Sequence, residues 1–587
     1  MTTWFPIGLD GRSAINVMEG AYGATGGGTS ADTTAINAAI AALTSLSKNV
    51  LVFPSGYTFL TGGNHTIPEN CHVVVMPGAT VKAASGQAQG SHIFTVLGDN
   101  IIFHIFGTLD GNTQAATNCR LIYTAGYNNI TVLGYGRQGI VKNASGRGIW
   151  LSNGADLIID GVVASACGSG GASETEALYV SRHTTAGVTA RPVIKGCKVS
   201  GYIAIETAVA SGTVTDGLIE DCHVTPGGTT NPAIEMWGND ADSMIRCRVV
   251  ASVAVGTGDI GISVARGKTS AIENCRADNF TTGLELAACN HCTVLGGFVD
   301  SQSKASSIGV SVDHSQATGY GNKVIGVTVV DAASRGIKVA QASSFLGYDV
   351  VIEGCNIDCT DNSARGINID DNSADTVSIR DNTIRMRGTS TYGIVIGSGV
   401  TGYRVADNKV VVGGSGSPVY VSESTYGNVK DNDIEALAST TNAYELTNVQ
   451  YVAVMGGTIK GTFSNAIRAL ATGSGKTVNA CIFGGGGMIS AGGDGISTAT
   501  ADSGTWGTSV RGEPIEGWGP GGVIERAEIS RLTAAESTFL YAGGIVAGDP
   551  TTAWSGSTAV PGADGSILQD EGGLVYTLKS GTWTAVN

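Results

Sequence analysis

The chain has 587 residues, only 14% of them charged, and a net charge of -15, which argues against nucleic acid as the main partner because no basic stripe is present. Its 87 glycines supply turn positions where the backbone takes positive φ. No run approaches the ~20 apolar residues of a membrane span, so membrane insertion is not expected.

The first residues, MTTWFPIGLDGRSA, lack the basic and apolar regions of a signal peptide. The protein is therefore expected to be made in a cytoplasm and to reach the exterior by lysis or a dedicated machine. Residues 1–28 read as an arm or attachment segment. Next comes SADTTAINAAIAAL, where Ser30 or Asp32 can cap a helix and Ile36, Ile40 and Leu43 recur at helical spacing. VLVFPSGYTFLTGG and VVVMPGATVKAA follow and are strand-like. The helix is expected to cover one end of a β-stack, whose bare strand edges would otherwise aggregate.

The succession AYGATGGGTSADTTAINAAIAAL, VLVFPSGYTFL and PGATV, over roughly residues 20–85, resembles the opening of the pectate-lyase-like superfamily, in particular its phage tailspike and polysaccharide depolymerase branch. The resemblance implies a right-handed parallel β-helix and a bacterial surface polysaccharide as partner. It also implies a homotrimer in the virion tail, joined through its N-terminal arm to a tail or baseplate protein. The opening marks the fold and carries no catalytic residue, and no cofactor or metal is called for.

From Val193 to Phe483 a short phrase recurs: IKGCKV, IEDCHV, MIRCRV, IENCRA, LGGFV, VIGVTV, IEGCNI, IRDNTI, VADNKV, VKDNDI, VMGGTI and VNACIF. Its fourth position falls at Cys197, Cys222, Cys247, Cys275, Gly297, Val327, Cys355, Asn382, Asn408, Asn432, Gly457 and Cys481, at spacings of 22 to 30 residues. Such a beat of short strands and glycine-rich turns indicates a solenoid with one coil per repeat. Coils stacked as parallel strands lie about 4.8 Å apart, so thiols would stack on thiols and asparagines could hydrogen-bond up a ladder. The cysteines follow the coil spacing, which speaks against a disulfide framework. A second phrase, Gly-Ile-x-Val, precedes the first in each coil; its period-two alternation points one set of side chains inward and one outward. Two strands per coil are expected over residues 29–505, cap included. Beyond about residue 505 the beat is lost, and residues 506–587 read as a transition and a small antiparallel β module, for trimerisation and capping or for a lectin-like grip on glycan.

With Ile and Val inward, the first outward column of the second phrase reads Trp150, Tyr179, Ala204, Glu235, Ser263, Glu285, Ser311, Lys338, Asn368 and Val395. The second reads Ser152, Ser181, Glu206, Trp237, Ala265, Ala287, Asp313, Ala340 and Asp370. Aromatic faces beside carboxylates suit sugar rings. Trp150, Tyr179, Arg182, His183, Trp237 and Arg266 are therefore the candidate substrate-binding residues, and Glu206, Glu235 and Glu285 the candidate catalytic residues. Strand geometry puts Glu206 and Glu235 about 8 Å apart and Glu235 and Glu285 about 9.6 Å apart, separations that suit an inverting glycoside hydrolase. Asp240 and Asp242 are reserves that read better as turn residues. The rival chemistry is a lyase, with Arg182, His183, Arg266 and Lys338 as candidates for the base and for the cation that neutralises a uronate, and His314 beside Asp313 as another possible base. Asp370, Asp371 and Asp375 would then be the best acidic group for a cation. A non-catalytic receptor-binding fibre is a further alternative.

Overall fold

The computed structural model describes residues 14–484 apart from 46–48, 114–117, 169–174, 185, 227, 229–230, 341–346, 372–373, 439 and 473–476. Beyond residue 484 it describes the strands Asp494–Ala501, Thr505–Val510, Ile545–Val546, Ile567–Asp570, Val575–Lys579 and Thr582–Val586. The fold is a right-handed parallel β-helix in which three sheets, A, B and C, run along the axis. In one representative coil Tyr202–Thr207 lies in sheet C, Leu218–Glu220 in sheet A and His223–Thr225 in sheet B. A short extra strand, Gly212–Thr215, is inserted between the first two.

The coil thus has three main strands where two are expected, and the reason lies in the third residue of the first phrase. Gly196, Asp221, Asn274, Gly354, Asp381, Asp407 and Asp431 all take left-handed φ, between 48° and 65°, a conformation that Gly, Asn and Asp tolerate best. The chain turns a corner there. IKGCKV is two strands, Val193–Lys195 in sheet A and Lys198–Ser200 in sheet B, and the fourth residue of the phrase sits at the bend.

That bend residue points into the coil. Cys197, Cys222, Cys275, Cys355, Asn382, Asn408 and Asn432 are all buried. The asparagines form the expected ladder: Asn382 Nδ2 donates to Asn408 Oδ1 and Asn408 Nδ2 to Asn432 Oδ1, each at 2.9 Å. Cys247 does not belong to this column. Register pairs Leu218 with Arg248 and His223 with Val253, so the residue above Cys222 is Ser252, whose Oγ accepts the Cys222 amide at 3.2 Å. Cys247 lies one corner earlier, below Ser270, and its amide donates to Ser270 Oγ at 3.0 Å. The phrase MIRCRV imitates the sheet A to sheet B corner because Met244–Ile245 is itself a short strand before sheet A. Cys481 falls inside the strand Thr477–Gly484. The eleven cysteines from Cys71 to Cys359 are free and buried.

The helix α1, Thr33–Ser45, packs against the first coils and buries Ile36, Ile40 and Leu43. Asp32 stands at its N-cap, where its carbonyl accepts the Ile36 amide at 2.9 Å. Its carboxylate turns away from the helix and accepts Thr25 N and Oγ1 at 2.7 and 2.9 Å, pinning the preceding loop. The ladder already begins at Ala14–Asn16, which pairs with Val50–Val52, inside the stretch expected as an arm; residues 1–13 lie outside the described residues. At the other end Thr505–Val510 still pairs in sheet A. The strands Ile567–Asp570, Val575–Lys579 and Thr582–Val586 pair antiparallel, as expected of a small terminal module.

Candidate functional site

Sheet C carries the second phrase, and its register reproduces both outward columns. Trp150 pairs with Tyr179, Tyr179 with Ala204, Ala204 with Glu235, Glu235 with Ser263 and Ser263 with Glu285. In the parallel column Ser181 pairs with Glu206 and Glu206 with Trp237. The inward partners Ile203, Ile205, Ile234, Met236, Ile262 and Val264 are fully buried, which fixes the alternate residues on the outer face.

Glu206, Glu235 and Glu285 each keep a part of their surface in solvent yet stand crowded by protein. Burial pushes Glu206 up to about 8, with the Glu176 charge adding to the effect and Arg147 opposing it. It pushes Glu235 also to about 8, with Glu206, Glu176 and Glu285 adding. Glu285 is raised less, to about 6, because Ser263 Oγ donates to its Oε2 at 2.9 Å. Glu206 and Glu235 have no hydrogen-bond or ion-pair partner among the described residues. The cluster can therefore hold protons at neutral pH on Glu235 and Glu206 while Glu285 is largely ionised, the separation that acid and base roles require.

The candidate binding residues divide. Trp237, at the end of the strand Ile234–Trp237, stays half-exposed next to Glu206, and the Arg266 guanidinium lies 5.5 Å from its ring centre. Arg266 also donates to the Gly238 carbonyl and to Gln316 Oε1, both at 3.2 Å. Trp150 and Tyr179 do not present the exposed ring faces expected of them: they are 4% and 0% exposed. They pack edge to face at 5.7 Å, and Trp150 Nε1 donates to Ser181 Oγ at 2.9 Å. The Arg147 guanidinium covers both, 4.5 Å and 3.6 Å from their ring centres. Their role as seen here is to floor the strip rather than to face a sugar. His183 packs edge-on against Trp150 at 4.8 Å. Arg182 donates to the carbonyls of Asn153 and Ala186 at 3.3 and 2.5 Å.

Two residues of the strip escape the sequence reading. Arg147 is 5% exposed, and its Nε pairs with Glu176 Oε2 at 2.7 Å. The pair closes the carboxylate row on its N-terminal side. The available signal was the Arg-Gly-Ile triplet at 147–149, which opens the second phrase. The reserve residues prove structural: Asp240 Oδ2 accepts the Ser211 amide at 2.5 Å and Asp242 Oδ1 accepts Asn290 Nδ2 at 2.7 Å. Asp370 is paired with Lys338 at 3.1 Å, and Asp371 accepts the Ser398 amide at 2.8 Å. His314 is 0% exposed, its pKa lowered by burial to about 4, so it is not placed to act as a surface base. A hollow of about 300 Å³ lined by Asn49, Asn70, His72, Asn100, Ile102, Asn129 and Thr131 lies on sheet A, away from the carboxyl groups. The carboxyl groups occupy a strip along sheet C instead, a shape that suits a long polymer.

Residues 233–410 match the family described as the right handed beta helix region. No curated protein matches the chain in sequence. Among solved structures, the chain is similar to the Dettilon tailspike protein (13% identity, 83% of this chain and 68% of that one, TM-score 0.27). It is similar also to the pre-mature bacteriophage phi29 gene product 12 (12%, 84% and 73%, 0.36). A third is a hyperthermoactive exopolygalacturonase from Thermotoga maritima (12%, 74% and 91%, 0.29). At these identities the likeness is one of fold.

Proposed function

We propose that the protein binds and cleaves a bacterial surface polysaccharide by endo-acting glycoside hydrolysis with inversion, on the sheet C strip. The observation that carries this reading is the pair Glu206 and Glu235, adjacent, crowded and without a cation partner. Carboxyl groups crowded by protein and left without a partner are costly, and groups perturbed in this way concentrate at functional sites. Glu235, protonated at neutral pH, serves as the general acid that donates to the leaving oxygen. Glu285, ionised and two rungs away in the same column, serves as the base for a water. The two-rung separation is about 9.6 Å at the backbone, at the upper end of the range for inversion. Glu206 adjoins Glu235 and is the alternative base, a role open to it only once it has lost its proton, near pH 8. Trp237 with Arg266 supplies a half-exposed platform for a sugar ring.

By the same proposal the protein is a tailspike-like depolymerase of a phage tail, assembled as a homotrimer and attached through its N-terminal end to a tail or baseplate protein. Sedimentation showing a concentration-independent monomer would refute the trimer. The chemistry is tested by incubation with capsule, O-antigen or exopolysaccharide preparations. New reducing ends without absorbance near ~235 nm mark hydrolysis; reducing ends with that absorbance mark β-elimination, which makes a conjugated double bond. Binding without either product marks a receptor-binding fibre.

A further inference from the structure

Past the glutamates the outer face of sheet C changes sign. Two more Arg-Gly-Ile triplets, at 335–337 and 365–367, put Arg335 directly opposite Arg365 on the next coil and Lys338 opposite Asn368. Opposed backbones lie about 4.8 Å apart, and like charges directly opposite one another are destabilising. In a chain with 49 acidic and 34 basic residues, such a stack is not supplied by composition.

Asp370, the carboxylate paired within the group, does not neutralise it. Asp370 is paired with Lys338 at 3.1 Å and also accepts Asn368 Nδ2. Arg365 Nη1 donates to Asn368 Oδ1 at 2.6 Å, and Arg335 Nη1 donates to Ser334 Oγ. Arg335 Nε is buried with no hydrogen-bond partner, a donor left open. Burial first, and then the Arg365 charge, hold the Arg335 guanidinium below the ordinary arginine value, with Asp370 opposing. A second carboxylate, Glu445, acts on Tyr392 from a place where it accepts Ser417 Oγ at 2.7 Å and Asn442 Nδ2 at 3.0 Å, so among the described residues three cations face two carboxylates and a local excess of positive charge remains. The next rung in the Arg335–Arg365 column is Tyr392, half-buried, with the Tyr420 ring 5.5 Å from its own.

We propose that Arg335, Arg365 and Tyr392 form a subsite for a sugar residue bearing a carboxylate. The guanidinium groups take the carboxylate, which matches their planar donor geometry, and the tyrosine takes the sugar face. The subsite lies on the sheet that carries Glu285, from which Lys338 is two rungs removed through Ser311, about 9.6 Å. A polymer lying along the axis reaches both within a few residues. This placement rests on reading the glutamates as the cleavage site; binding at the subsite does not.

The test compares methyl β-D-glucuronoside with methyl β-D-glucoside, the same ring with and without the carboxylate, by calorimetric or NMR titration of the full chain. The glucuronoside is expected to bind at least about tenfold more tightly, the range for hydrogen bonds to a charged group, and to weaken as salt is raised. Arg335→Gln and Arg365→Gln should each remove that preference, and Tyr392→Ala should weaken both ligands, with thermal melts checking the fold. The salt dependence of the wild type needs no variant. Equal binding of the two glycosides, no binding of either at millimolar concentration, or arginine variants that keep the preference would overturn the subsite. So would inorganic phosphate competing as well as the glucuronoside while Tyr392→Ala has no effect, since that describes a bare anion site. Glu235→Gln separates the readings: polysaccharide cleavage that survives it defeats the cleavage assignment and leaves glucuronoside binding unaffected.

Discussion

Glu206 and Glu235 stand on neighbouring rungs of sheet C, offset by two residues along the strand, so that Glu206 faces Trp237 and Glu235 faces Ala204. The Glu206 charge raises the proton affinity of Glu235, and no cation among the described residues is paired with either. If these carboxyl groups transfer protons, Glu235→Gln keeps the shape and removes the donor. The expected loss is about 100- to 10,000-fold in turnover, with glycan affinity retained because Trp237 is untouched. Trp237→Ala should do the reverse and weaken binding first. Glu206→Gln distinguishes the alternative base: full activity there, together with a dead Glu285→Gln, selects Glu285. Full turnover in all three glutamine variants would defeat the assignment.

The same glutamates make stability depend on pH with a definite sign. Their folded values, about 8 for Glu206 and Glu235, stand above the ordinary 4.5. Below about pH 4.5 both folded and unfolded chains hold these protons. Between 4.5 and 8 the unfolded chain releases them and the folded chain does not, so stability falls as pH rises across that window. Thermal melts of the wild type should therefore shift down from pH 5 to pH 8 through these groups. Glu235→Gln should flatten that part of the slope and be more stable than wild type at pH 8. Activity should follow a bell, rising as Glu285 ionises near pH 6 and falling as the acid is lost near pH 8.

The parts of the fold legible in the sequence are those set by period-two alternation. The columns from Trp150 to Val395 are read correctly because an inward Ile or Val fixes its neighbours. What alternation cannot show is a corner inside an apparent strand: Asp221 and Gly196 turn the chain by φ alone, and a six-residue phrase conceals two strands. The Cys247 misplacement has the same origin. Nor does a column reveal what covers it. Trp150 and Tyr179 are outward in register yet sealed, because Arg147, just before the strand, folds across both rings and Arg120 lies over Trp150.

The interior ladder predicts a ranking of variants. Asn408 Nδ2 donates to the carbonyls of Ile379 and Ala406 and to Asn432 Oδ1 at 2.9–3.0 Å, and its Oδ1 accepts from Asn382 N and Nδ2. Asn408→Ala opens a cavity and leaves buried donors and acceptors without partners, a cost of roughly 2–4 kcal/mol. Cys247→Ala removes one thiol with weak hydrogen bonds and should cost on the order of 1–2 kcal/mol. Cys247→Asp places an unpaired charge at a fully buried site and should prevent folding. Denaturant melts that place Cys247→Ala below Asn408→Ala, or soluble native-like Cys247→Asp, would contradict this account of the core.

Arg147 joins the aromatic floor to the carboxylates, and its removal should show in two measurements that a purely structural residue would not move together. Its guanidinium is buried, pairs with Glu176 at 2.7 Å and lies over Tyr179 at 3.6 Å, and its charge draws the Glu206 proton affinity down. Arg147→Gln leaves Glu176 without its cation, and breaking a buried pair by removing one partner costs about 3–5 kcal/mol, so the melting temperature should drop. With the opposing charge gone, Glu206 should rise further above the carboxylate range, and Glu176, no longer paired, should press harder on Glu235, whose proton loss sets the alkaline limb of the activity profile, so that limb should move to higher pH. Arg147→Lys restores the charge but not the planar contact with two rings. It should therefore return the limb towards its wild-type position while recovering only part of the stability. If Arg147→Gln lowers the melting temperature and leaves the pH profile in place, Arg147 supports the floor alone and has no part in setting the protonation of the glutamates.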